Sequence, residues 1–124
     1  MLWIVPYTVR LLHAYHLQTA GQTVPSTAIM SEILVANQQA IDDGADGPTP
    51  LMQNAAIHAL RGDSTAALDS LDRAYSAGWR DGRTLAIDPL FASIRGEPRF
   101  TQLLARIKGD VAAMRARADY SGLP

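Results

Sequence analysis

Apolar residues recur along the chain at helical spacing, and breaks rich in Gly, Pro and Asp cut the pattern into segments. After Pro6, Val9, Leu12, His16 and Ala20 share one face and predict a helix from Pro6 to about Ala20, the proline suiting a first position where its missing N–H costs nothing. Tyr7, Leu11, Ala14 and Tyr15 make a second face apolar, so this helix is expected to be covered on two sides. Gly21, Gln22 and Thr23 interrupt the pattern. Pro25 and Ser26 restart it, with Ser26 as the expected N-cap of a second helix carrying Ile29, Met30, Ile33, Leu34, Ala40 and Ile41 to about Asp43.

The run from Asp42 to Pro50 combines Asp, Gly and Pro and reads as the one clear loop. Thr49 and Pro50 open a third helix with Met52, Ala55, Ala56, Ala59 and Leu60, stopped at Gly62 and Asp63. A fourth carries Ala67, Leu68, Leu71, Ala74 and Tyr75 and ends at Gly78, in the left-handed C-terminal position glycine favours. Asp88-Pro89 predicts a brief helix through Leu90, Phe91 and Ile94 to Gly96. Glu97-Pro98 opens the last, whose stripe of Phe100, Leu103, Leu104, Ile107, Val111 and Met114 is the cleanest in the chain and is expected to reach about Ala118. No segment alternates with period two, and the fold class expected is all-α. Residues 1–124 form one domain in this scheme: a hairpin over 6–43, a hairpin over 49–77, and capping helices over 88–118.

Within the second hairpin, Ala55, Ala59, Gly62, Ala67 and Ala74 put small residues where the third and fourth helices are expected to cross, with Gly62 in the turn, Ala67 five residues on and Ala74 seven further. That spacing resembles the tetratricopeptide repeat, whose motif has a turn glycine and small residues where paired helices cross. His58 and Leu51 depart from the motif, which favours an aromatic and a Trp there. In the first hairpin Gly21 is the candidate turn glycine, with Val24-Pro25 displacing Ala28 from the matching place. Over residues 50–118, the joint pattern of Ile57 to Asp63, Ala67-Leu68, Leu71, Ala77 to Arg80, Asp88 to Phe91 and Glu97 to Phe100 with Leu103-Leu104 resembles the C-terminal close of bacterial tetratricopeptide regions. Such regions are appended to winged-helix regulators, adenylate cyclases and protein kinases. The resemblance implies antiparallel hairpins stacked as a short right-handed superhelix with a C-terminal cap. It implies a non-catalytic protein-interaction or scaffold module that is either a fragment of a larger regulator or free-standing.

In that fold the first helix of each pair lines a concave surface that takes a peptide. His16, Gln53, Asn54, His58 and Arg61 are the polar residues placed there and form the expected partner site. The partner is a protein or peptide. The apolar start Met1-Leu2-Trp3-Ile4-Val5 and the two-faced first helix lack a cap before them, so this end is expected to be covered by a missing repeat or by a second copy of the chain, as in a homodimer through the N-terminal helix, and an oligomer that buries its own groove is the first alternative function.

Composition excludes more than it selects. Eleven Lys and Arg against twelve Asp and Glu give a net charge of −1, without the clustered positive excess that nucleic acid or anionic lipid requires. Before Arg61 four acids face one base, and from Arg61 onward ten bases face eight acids, a mild asymmetry. The absence of cysteine removes disulfides, thiolate metal sites and a cysteine nucleophile. No apolar stretch approaches a bilayer span, and a basic leader is missing before the first apolar run, so a cytoplasmic protein is expected.

Candidate chemistry is thin. His13 and His16 stand i, i+3 and could offer two imidazoles to a metal, which defines a second alternative, a small metal-dependent enzyme; lacking indicated carboxylates, they are expected to be structural or interfacial. Arg61-Gly62-Asp63 is explained by the inter-helix turn rather than by adhesion. Asp42, Asp43 and Asp46 lack the alternation and closing Glu of a calcium loop. Trp79 is placed to staple the fourth helix onto the adjoining C-terminal segment. No cofactor, metal or catalytic residue is expected.

Overall fold

The computed structural model describes the backbone of residues 5–121 and the side chains of residues 9–118. The described residues form helices joined by turns and short loops, with no strand among them: α1 (Val5–Thr19), α2 (Thr23–Asp42), α3 (Thr49–Leu60), α4 (Ser64–Ser76), α5 (Gly82–Ile87), a 3-10 helix (Pro89–Ile94) and α6 (Pro98–Ser121). The apolar stretch at residues 1–4 lies outside the described residues.

Each of α1 to α4 ends in the same way. The glycines at 21, 44, 62 and 78 have φ of 82°, 101°, 79° and 109°, and the amide after each reaches back five residues, as Asp63 N–H does to the His58 carbonyl at 2.9 Å. These are Schellman closures, in which a left-handed residue turns the last carbonyls toward new donors. The N-termini of α4, α5 and the 3-10 helix are capped by carboxylates: Asp63 accepts from Ala66 N–H at 3.1 Å, Asp81 from Thr84 N–H at 3.0 Å, and Asp88 from Leu90 N–H at 3.0 Å.

The helices alternate in direction. Arg10 on α1 pairs with Glu32 on α2 while Ala14 accepts from Ser26, so rising numbers on one helix meet falling numbers on the other. The same holds for α2 and α3, where Asn37 meets Asn54 and Arg61 meets Ser31. α3 is the central element, packed on α1, α2, α4 and the 3-10 helix. Leu51, Met52, Ala55, Ala56, Ile57 and Ala59 are all buried there. α6 closes the far end against α4 and α5, burying Phe100, Leu103 and Ile107. Its stripe outruns the core, and from Ala112 to Ala118 every residue is exposed.

Three expectations are corrected. Ser26 is not an N-cap: α2 begins at Thr23, with Pro25 tolerated in the first turn, and Ser26 is fully buried with its hydroxyl donating to the Ala14 carbonyl at 2.7 Å. Gly62 is not a close-contact residue, since a Cβ there would meet nothing within 4 Å; positive φ alone accounts for it. Between Gly78 and Asp88, α5 forms where no helix is predicted, and Gly82 is what lets it approach α6, because a Cβ would lie 3.2 Å from both Ile107 and Leu104.

Ser26 also revises the first hairpin. Ala14, Gly21, Ser26 and Ile33 each precede Ala55, Gly62, Ala67 and Ala74 by the same interval, 62 − 21 = 41 residues. Ala14, Ser26, Ile33, Ala55, Ala67 and Ala74 are all 0% exposed. The two hairpins therefore share one register, with Ser26 rather than Ala28 in the small-residue position.

Candidate functional site

The five residues placed on a partner surface divide into two groups. Asn54 accepts from Asn37 Nδ2 at 2.9 Å, and the same amide reaches the Pro50 carbonyl at 3.3 Å. Arg61 donates to Ser31 Oγ at 2.8 Å. Both thus close the seam between α2 and α3, and Asn37, buried at its centre, is a polar residue the hydrophobic pattern could not single out. Gln18 on α1 adds a bond to the Leu60 carbonyl at 2.8 Å, tying the ends of α1 and α3. Gln53 and His58 are half-buried on α3 with no side-chain hydrogen bond among the described residues, and His16 is exposed on α1, its ring tilted against Tyr15 at 5.5 Å. None of the five lines the hollows beside α4, on α2 or between α5 and α6.

His13 and His16 are both exposed, and no group of three or more His, Asp or Glu among the described residues is placed to hold a metal, so they gain no third ligand. In Arg61-Gly62-Asp63, each residue serves the turn: Arg61 binds α2, Gly62 supplies the positive φ and Asp63 caps α4. Asp42 and Asp43 accept from Gln38 and Gln39 at 2.9 and 3.0 Å.

The densest polar cluster lies elsewhere. Tyr75 on α4 donates its hydroxyl to Asp110 on α6 at 2.5 Å, and Arg80 stacks on the Tyr75 ring at 4.1 Å while its Nε lies 3.2 Å from Asp110. The bond to Asp110, followed by desolvation, raises the Tyr75 phenol above its ordinary value. Arg80 further donates to the carbonyls of Tyr75 and Trp79, both at 2.8 Å, so this cluster binds α4, α6 and the connecting segment together. Trp79 packs half-buried against the core, with its indole N–H on the Asp81 carbonyl at 3.2 Å. Nearer the start of α6, Arg99 clasps Asp69 and Asp72 of α4 at 2.9 and 2.6 Å, and those carboxylates raise its own pKa. The Thr84 hydroxyl and amide hold Asp81 below the usual carboxylate range. Sequence spacing could not find this cluster, because Asp110 lies 35 residues from Tyr75, on an element whose packing against α4 is decided by the apolar faces.

No helix among the described residues is long and apolar enough to cross a membrane. Comparison of the chain with protein-family models, with curated proteins and with solved structures finds no match.

Proposed function

We propose that the chain is a short array of tetratricopeptide-like hairpins, stacked in a right-handed sense, that acts as a non-catalytic protein-interaction module. The shared register of the two hairpins supports this reading most: a turn glycine at 21 and 62, a buried small residue at 26 and 67, and a buried alanine at 14 and 55. The repeat is longer than the roughly 34 residues usual for the family, and α2 with 20 residues against 13 in α4 accounts for the excess. α5, the 3-10 helix and α6 then serve as the cap that such stacks require.

The peptide-accepting face narrows to Gln53, His58 and His16, because Asn54 and Arg61 are spent on α2 and act by holding α3 in place. Gln53 and His58 can pair with a peptide backbone without breaking an existing bond. The test is to pan a random peptide library against the protein and to measure the selected peptides by fluorescence anisotropy. The double substitution Gln53→Ala/His58→Ala lowers affinity at least fivefold, while Ala113→Ser on exposed α6 changes nothing. Recovery of no peptide overturns the module, and binding indifferent to the double substitution overturns the face.

One observation favours self-association through α1 as a second reading: Val9 and Leu12 are 56% and 44% exposed on it. Light scattering decides this, since a twofold dimer would be lost in Leu12→Glu.

A further inference from the structure

Two surfaces at opposite ends of the molecule are left over by the packing. Between α5 and the second half of α6 lies a groove of about 620 Å³, its floor made by Ala86, Ile107 and Val111 and its rim by Arg83, Lys108 and Arg115. Arg80 also borders it but is committed to Asp110, and the only bordering carboxylate, Asp81, is engaged by Thr84. Arg83, Lys108 and Arg115 are exposed and make no ion pair among the described residues. The groove is therefore apolar below and cationic at its edges.

On α2, Glu32, Val35, Gln39 and Asp42 follow at i, i+3, i+7 and i+10 and form one outward stripe. Val35 is 70% exposed, and Glu32, Val35 and Gln39 line a shallow hollow of about 540 Å³. Glu32 uses one oxygen on Arg10 and Asp42 one on Gln38, leaving each a second oxygen for another cation. This stripe carries the exposed Val35 beside the neutral Gln39 at its middle and a carboxylate at each end. It complements the groove in charge and in pattern, but α2 packs on α1 and α3 while α6 packs on α4 and α5, so the two surfaces cannot meet within one molecule.

We propose that the α5–α6 groove is occupied by the α2 face of a second copy of this chain, which joins molecules head to tail. Val35 lies on the apolar floor, and Glu32 and Asp42 lie among Arg83, Lys108 and Arg115. Because the contact uses different patches on the two copies, it repeats rather than closing on itself. The patches are small beside the roughly 800 Å² per partner of a stable interface, so association is weak and steered by charge. The contact uses none of Gln53, His58 and His16.

Sedimentation of the full chain between roughly 10 µM and 1 mM tests it, near the affinity expected of so small an interface. At low salt the mass rises with concentration past the dimer, and raising the salt about tenfold weakens association at least tenfold. The groove variant Arg83→Ser/Lys108→Ser/Arg115→Ser and the face variant Glu32→Gln/Val35→Ser/Asp42→Asn are each monomeric alone. An equal mixture gives a heterodimer that grows no further, since it holds one intact groove and one intact face. A wild-type monomer at every concentration overturns the proposal, as does a dimer ceiling that neither variant alters. Should either variant lose its helical circular dichroism, the wild-type salt series decides alone, and association indifferent to salt overturns the proposal.

Discussion

Replacing Ala67 with Leu inserts three carbons into a position with no exposed surface, beside Ala55, Ala59 and Ala74 in the same buried cluster. Short side chains there set how closely α3 and α4 approach, and overpacking of such a site costs about 2–3 kcal/mol. At about 2.1 cal/mol/K per residue, a chain of this length has an unfolding entropy near 0.26 kcal/mol/K at its melting point. Ala67→Leu should therefore lower Tm by roughly 8–12 °C in thermal unfolding followed by circular dichroism. Ala67→Gly is also expected to lower it, by roughly 7 °C, because it loses a buried methyl and about 1 kcal/mol of helix propensity. Ala113→Leu makes the same chemical change at an exposed position of α6 and should stay within about 2 °C of wild type. A variant with Leu at 67 that melts at or above wild type, or indistinguishably from the exposed control, would refute tight contact at this crossing.

Gly62→Ala should cost about 1–2 kcal/mol through its φ of 79° alone, as nothing stands within 4 Å of the new methyl, and Gly62→Asn should cost less; urea midpoints check both. Ser26→Ala removes the bond to the Ala14 carbonyl and should cost only about 1 kcal/mol, since the second hairpin carries Ala at the same place, whereas Ser26→Leu should cost more than about 2 kcal/mol by calorimetry. The raised Tyr75 phenol gives the folded state the tighter hold on that proton. Its contribution is accordingly complete below about pH 10 and lost as pH rises through the folded value, so the stability gap between wild type and Tyr75→Phe should be present at neutral pH and shrink in strongly alkaline buffer.

Periodicity and breakers sufficed for the two hairpins and α6, because Leu11, Ile33, Ile57, Leu71 and Ile107 lie on apolar faces at 3.6-residue spacing and glycines mark the stops. Ser26 misled because a serine after a proline has the chemistry of a cap, and only the facing Ala14 carbonyl makes it a buried contact residue. α5 was hidden by its length of six residues, too short for a stripe, with an Asp81 cap that resembles any turn aspartate. The candidate site was legible in composition but not in use. Nothing local to Asn54 or Arg61 tells that each faces a polar group on α2, since those pairings bridge 17 and 30 residues.

The central place of α3 also bears on how the chain can be divided. A rod whose buried residues lie all round it cannot be left with half its cover, so neither hairpin is expected to persist alone as a folded fragment. A cut between Asp43 and Pro48 should yield two pieces that are disordered apart and regain their helices only on recombination, with α3 as the template on which the separated N-terminal pair reassembles.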